Sequence, residues 1–206
     1  AYLMGLNIKK FKKNLPKILN NKTFLSNNSK KISKLNLKKS KILVFFNYVP
    51  ELENFLFWCQ QLLAESLGKR KKGFIPVVSN APKDHHSLLQ LYLDGPKDKI
   101  FYIFSLKKTK KLKIISNIFG EKERYLRNKN YNEIKLSQKK AFVEVLKKNK
   151  TPFKEIIIDK LDENTIGKLF LSFIIETIIL AKHMKVNAFD QPAVERVKVL
   201  TKRFLT

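Results

Sequence analysis

The stretch that decides the fold is "KILVFFNYVPELENFLFWCQQLLAESLG", residues 41–68. Residues 41–49 are almost continuously apolar, which is typical of a strand buried on both faces of a sheet. Residues 53–68 follow as an apolar-rich helix, and Gly68 is of a type that commonly ends helices. A buried strand followed directly by a helix predicts a parallel sheet with helices on its faces.

The same alternation continues along the rest of the chain. Further strands are predicted at 73–79, 98–106 and 152–159, and further helices at 85–95, 135–149, 163–184 and 192–205. Residues 1–36 predict helices broken near Pro16 and Asn20. The expected fold class is α/β, a three-layer α/β/α sandwich with a parallel sheet of about five strands. In such sheets, ligands are expected beyond the carboxyl ends of the strands.

The chain is strongly basic, with 43 Lys and Arg against 17 Asp and Glu and a net charge of +26. Only five of these cations are Arg, which nucleic-acid binders favour, so nucleic acid is not the expected partner. The one cysteine, Cys59, indicates a reducing, cytoplasmic location. The longest apolar run, "LFLSFIIETIILA", contains Glu176 and is shorter than a membrane span. It therefore predicts a buried helix and no membrane partner.

The first unusual segment is "QQLLAESLGK", residues 60–69. Glu65 lies one turn before the predicted helix end, and Gln61 lies four residues earlier on the same face. A carboxylate there opposes the helix dipole, which disfavours its charged form and suits a proton-transferring base. A solvated last turn with no function is the alternative interpretation.

The second is "KDHHSLLQLYLDGP", residues 83–96. Asp84 is predicted to be the N-cap of a helix and to accept from the backbone of Ser87. His85 and His86 then occupy the first turn, where the positive helix end favours a neutral imidazole able to exchange protons. Two exposed histidines without function are the alternative. A metal-dependent phosphoesterase, which "DHH" also suggests, would need further Asp ligands that this chain hardly offers.

The third is "FDQPAVERVKVL", residues 189–200, where Pro192 suits the start of a helix. Lys198 lies on a stripe at helical spacing, formed by Val194, Val197, Thr201 and Leu205. If this stripe faces the interior, Lys198 either extends along it to water or points into a cavity that holds an anion.

Three blocks, in this order, resemble the carboxyl-terminal half of glucose-6-phosphate isomerase: "QLLAESLGK", "DHHSLLQLYLDGP" and "VNAFDQPAVERVK". The resemblance runs from about residue 38 to the end, and "AYLMGLN" is similar to the family's text after its Gly-Gly-Arg block. It implies that residues 38–206 form the second sugar-isomerase (SIS) domain, of flavodoxin-like architecture. Residues 1–37 would be a helical segment that links to a missing first domain.

The resemblance also assigns roles, in a reaction that uses no cofactor and no metal. Glu65 matches the catalytic base that moves a proton between C1 and C2 of the open-chain sugar phosphate. His86 matches the histidine that assists ring opening and reaches into the partner subunit's site, which implies a homodimer. Lys198 matches the catalytic lysine near the ring oxygen, and Gln61 and Gln191 match glutamines that line the substrate pocket.

The chain also departs from the complete family pattern. The phosphate-binding loop belongs to the first domain, and no Arg here sits in the context of the family's enediolate-stabilising arginine. Val197 replaces a small residue, and His85 has no role. The chain is therefore expected to be inactive alone and to expose an apolar face where the first domain docks. A stand-alone sugar-phosphate-binding or interaction domain without catalysis is the alternative function.

Overall fold

Four parallel strands form the middle layer of the computed structural model, which describes residues 5–20, 22–107 and 120–206. In chain order they are β1 (Ile42–Asn47), β2 (Ile75–Asn80), β3 (Lys99–Leu106) and β4 (Phe153–Ile158). Their spatial order is β2-β1-β3-β4, and all three pairings are parallel. The described residues thus contain one strand fewer than the expected five, in agreement with the four apolar runs of the sequence.

The central strand β1 shows why these runs are apolar throughout. Leu43 and Phe45 project into one hydrophobic core, whereas Val44 and Phe46 project into a second core on the opposite face. Since helices cover both faces, neither alternate position can be polar. The predicted three-layer α/β/α fold is confirmed.

Nine helices are described, together with two short 3₁₀ turns. They are α1 (Ile8–Lys12), α2 (Leu15–Asn20), α3 (Lys22–Lys38), α4 (Glu53–Leu67), α5 (Lys83–Ser87), α6 (Leu89–Asp94), α7 (Tyr131–Lys148), α8 (Glu163–Met184) and α9 (Pro192–Leu205). Helices α3, α4 and α8 cover one face of the sheet, and α6 and α7 cover the other. The helix predicted at 85–95 is in fact two short helices, which meet at Leu88.

Helix α8 is the long buried helix that the sequence predicts. By length and composition alone it could also span a membrane, but here it packs against the sheet as a core helix. Its Glu176 is almost fully buried and accepts hydrogen bonds from the Tyr102 hydroxyl (2.5 Å) and the Lys154 ammonium (2.9 Å). The carboxylate is thus tolerated in the apolar layer because both donors reach it from the sheet.

The outer strands β2 and β4 carry residues that limit further strand pairing. Pro76 of β2 has no N–H, and its carbonyl accepts from the side chain of Gln60 (2.8 Å). In β4, Lys154 binds Glu176 and the neighbouring Glu155 pairs with Lys139. Both edges therefore place a proline or charges where an additional strand would bind.

Candidate active site

The last turns of α4 hold a carboxylate whose two oxygens both accept hydrogen bonds. The Gln61 amide donates to Oε1 of Glu65 (2.9 Å), and the Gln191 amide donates to Oε2 (2.8 Å). The predicted proximity of Gln61 and Glu65 on one helix face is confirmed. Gln191 comes from a point 126 residues further along the chain, so the fold brings three of the predicted site residues together.

Gly68 ends α4 one turn beyond this carboxylate. Its N–H bonds to the carbonyl of Ala64 (3.0 Å), and a Cβ at Gly68 would lie 2.6 Å from that same carbonyl oxygen. A larger residue would force this turn apart. The glycine therefore lets the helix stop where Glu65 faces the connection that follows α8.

Two lysines that follow α4 hold this connection in place. Lys69 pairs with Asp190 (3.1 Å) and also donates to the carbonyl of Asn187, while Lys72 donates to the carbonyl of Met184 (2.7 Å). The hydrogen bond and charge of Lys69 hold the pKa of Asp190 below its usual range. These contacts fix the position of Asp190 and thereby bring Gln191, which follows it in the sequence, to Glu65.

The resulting cleft has a volume of about 600 Å³ and contains five ionisable side chains. These are Glu65, Lys69, Arg70, Asp190 and Arg196. Three are cationic and two anionic, so the net charge of the lining is +1. Within the described residues, neither guanidinium group has a hydrogen bond or an ion pair. The cleft therefore combines a hydrogen-bonded carboxylate with two arginines that are available to an anion.

The cleft with Glu65 lies at the amino-terminal edge of the sheet, opposite the carboxyl ends of the strands where ligands are expected in such folds. Helix α4 leaves the carboxyl end of β1 and runs back along the sheet, ending near the start of β2. Its 15 residues span about 22 Å. Glu65 lies twelve residues beyond Glu53, the first residue of α4, and is therefore about 18 Å along the helix axis from the carboxyl edge of the sheet.

His86 lies at that opposite edge, on α5, directly after β2. Its side chain is exposed, whereas the neighbouring His85 is half-buried and its Nε2 lies 2.5 Å from the Tyr48 hydroxyl. The prediction that Asp84 is the N-cap is wrong, because Pro82 holds that position. The buried Asp84 carboxylate accepts instead from the backbone N–H of Asn80, at 2.7 Å.

The structure does not bring Lys198 to the cleft. Its ammonium pairs with Glu195 on the same helix (2.7 Å), and both side chains are exposed. The stripe formed by Val194, Val197, Thr201 and Leu205 does not face the interior, since every residue of α9 is exposed. The apolar residues of this helix instead present an uncovered surface, which Phe189 extends; its most exposed members are Phe189, Val197, Val199, Phe204 and Leu205.

Comparison with known proteins shows the family of this chain. The family model described as phosphoglucose isomerase matches residues 8–206. The chain belongs to the phosphoglucose isomerase family. It is 38% identical over 176 residues to a probable glucose-6-phosphate isomerase of Methanococcus maripaludis, covering 85% of this chain and 40% of the relative. It is 35% identical over 213 residues to the glucose-6-phosphate isomerase of Methanocaldococcus jannaschii, covering 99% and 52%.

Solved structures show the same fold. A hypothetical protein from Thermus thermophilus matches with a TM-score of 0.84 at 24% identity, covering 98% of this chain and 51% of that one. A glucose-6-phosphate isomerase from Chlamydia trachomatis matches with a TM-score of 0.66 at 16% identity, covering 88% and 38%. The chain thus spans about half the length, or less, of the phosphoglucose isomerase relatives it matches.

Sequence reasoning missed several charged residues of this cleft. Lys69, Arg70 and Asp190 flank the recognised blocks and carry charge, but nothing in their spacing shows that they share one cleft. The described residues contain no group of three or more His, Cys, Asp or Glu side chains that could hold a metal ion. The lining of the cleft offers two carboxylates, side-chain amides and three cations.

Proposed function

We propose that this chain is the carboxyl-terminal catalytic part of a cytoplasmic glucose-6-phosphate isomerase, which interconverts glucose 6-phosphate and fructose 6-phosphate. The observation that carries the proposal is the Glu65 carboxylate, held by the amides of Gln61 and Gln191 in a net-positive cleft. Family membership over residues 8–206 supports it.

In this proposal Glu65 removes the proton from C2 of the open-chain aldose, leaving an enediolate with a C1=C2 double bond and the negative charge on O1. Transfer of a proton from O2 to O1 and return of the proton from Glu65 to C1 give the ketose, so atoms and charge balance without a redox cofactor. The two neutral amides orient the carboxylate but do not compete with it for the proton. They thereby keep one basic group at a fixed place beside the reacting carbons.

The cations of the cleft fit an anionic substrate and the negative charge that develops on the enediol oxygens. Arg70 and Arg196 are the candidates within this chain, since the described residues leave both unpaired. We propose that a first SIS domain supplies the phosphate loop and the main enediolate-stabilising arginine. Residues 1–37 would link to that first domain. The first domain would cover the exposed apolar surface of α9 and so bring Lys198 to the substrate.

We also propose a homodimer in which His86 of each copy acts in the other copy's site. The distance of about 18 Å along α4 supports this arrangement, because His86 and Glu65 of one copy lie at opposite edges of the sheet. A two-fold dimer contains two such composite sites, each with one Glu65 and the partner subunit's His86.

The first test is isomerisation of glucose 6-phosphate by the 206-residue chain and by a chimera. In the chimera, the chain replaces the matching segment of the M. jannaschii relative. We expect an inactive chain and an active chimera, in which Glu65→Gln lowers kcat about 10²- to 10⁴-fold. A chimera equally active with and without Glu65→Gln would refute the role of this carboxylate. Binding of fructose 6-phosphate with no turnover in either protein would instead favour a stand-alone binding domain.

The second test mixes two inactive variants of the chimera, Glu65→Gln and His86→Asn. Half of the dimers formed at equal concentrations carry one variant of each kind, and each mixed dimer has one intact composite site of two. Mixing after dissociation should therefore restore about a quarter of the unmutated activity. If each histidine acts in its own copy's site, every site keeps a mutation and no activity returns.

A further inference from the structure

The two histidines of α5 are neighbours in the sequence but have different surroundings. His86 is exposed, whereas His85 is half-buried and bonded to Tyr48. We propose that His85 is a positioning residue: its hydrogen bond to Tyr48 fixes α5 so that His86 projects from the carboxyl edge of the sheet. This inference rests on the proposed function, which gives the orientation of His86 a consequence.

The first support is the anchor on the sheet. Tyr48 directly follows the central strand β1, and only 2% of it is exposed. Burial raises the pKa of the Tyr48 phenol and lowers the pKa of the His85 imidazole, so a neutral phenol faces a neutral ring. One proton then lies between the oxygen and Nε2 at a separation of 2.5 Å. The contact is thus made by the residue that directly follows an inner strand of the sheet.

The second support is the aromatic environment of the His85 ring. The rings of Phe46, Tyr48 and Phe142 meet it edge-on, with centroids 5.3, 5.7 and 5.8 Å away. Phe46 belongs to β1 and Phe142 to α7, so the imidazole joins α5 to two other elements. Three edge-to-face contacts confine the plane of the ring.

The third support is the shortness of α5. A helix of five residues has little stability of its own, so its contacts must fix its direction. Asp84 supplies one contact, through the Asn80 N–H (2.7 Å) and the Ser87 hydroxyl (2.8 Å), and His85 supplies the next. Successive residues of a helix turn by about 100°. With positions 84 and 85 held inward, position 86 points outward.

The test compares four variants in the active chimera. Tyr48→Phe removes one oxygen, His85→Phe fills the aromatic site without a hydrogen bond, His85→Gln keeps a group that can bond to Tyr48, and His86→Gln removes the imidazole. We expect Tyr48→Phe and His85→Phe to lower kcat about tenfold with little change in KM, and His85→Gln to retain most of the activity. In a His86→Gln background, Tyr48→Phe should have no further effect, because no imidazole remains to be positioned.

The outcomes separate the two proposals. If His86→Gln leaves kcat unchanged, the proposed role of His86 fails. If His86→Gln lowers kcat but Tyr48→Phe does not, or if Tyr48→Phe still lowers kcat in the His86→Gln background, positioning by His85 is refuted.

A second measurement does not depend on activity. In the 206-residue chain, Tyr48→Phe should speed hydrogen exchange of the α5 amides about tenfold, while exchange in β1 stays as in the unmutated chain. Unchanged exchange across residues 83–87 would overturn the inference on structural grounds.

Discussion

Removal of the Lys154 ammonium should destabilise the fold far more than removal of an exposed lysine. Lys154 reaches both oxygens of Glu176 at 2.9 and 3.2 Å, and its ammonium lies 4.9 Å from the centre of the Tyr102 ring. In Lys154→Met the apolar part of the side chain remains, but Glu176 keeps only the hydrogen bond from Tyr102.

The magnitude follows from burial. The Glu176 side chain is 4% exposed, so water cannot replace the lost ammonium, and breaking a buried pair typically costs 3–5 kcal/mol. Because the Lys154 side chain is 27% exposed and Tyr102 still donates, we expect the low end, about 3 kcal/mol. With a urea slope of roughly 2.5 kcal/mol/M, the unfolding midpoint should fall by about 1 M.

The assay is urea unfolding of the chain followed by fluorescence of its one tryptophan, Trp58. Lys147→Met is the matched control. Lys147 pairs with Glu144, and both side chains are exposed and lie on helix α7. Such pairs contribute little, so the control midpoint should not move measurably. Equal midpoints for the Lys154 and Lys147 variants would refute the reasoning that the buried carboxylate depends on its ammonium partner.

Four further predictions concern the site and its surroundings. Gln191→Leu should lower kcat of the chimera about tenfold, since Glu65 loses one of its two orienting amides; an unchanged kcat would contradict this. Arg196→Gln should weaken the binding of fructose 6-phosphate, measured by calorimetry. The loss of affinity should be smaller at high salt, because salt screens the attraction between the guanidinium and the anion. Because burial lowers the pKa of His85 below 6.5, its contribution to stability should be full above pH 6.5 and fall as the pH drops below it. Urea midpoints compared with His85→Gln at pH 7.5 and 5.5 test this. Cys59 is buried, which raises the pKa of its thiol, so a disulfide reagent should label it only as the chain unfolds.

The fold was largely predictable because strands buried on both faces have a strong signal. The four apolar runs match β1 to β4, and Gly68 correctly marks the end of α4. Within the site, Gln61 and Glu65 were predictable because four residues along a helix bring side chains to one face.

Contacts between distant segments were not predictable from spacing. The bond between Gln191 and Glu65 depends on where α8 ends, and only the family resemblance, not periodicity, pointed to Gln191 as a pocket residue. The amphipathic pattern of α9 showed which residues share a face, but not that this face would be exposed. The contact between His85 and Tyr48 depends on how α5 packs on β1, which the spacing of residues does not show.

The outer strands of the sheet have a consequence for how copies of this chain associate. Pro76 offers no N–H along β2, and Lys154 and Glu155 of β4, the other outer strand among the described residues, form ion pairs. Two sheets are thus kept from joining edge to edge into a continuous ribbon, the arrangement through which exposed strands aggregate. The helical layers are the surfaces left for contacts with other proteins, and there side chains rather than backbone amides would select the partner.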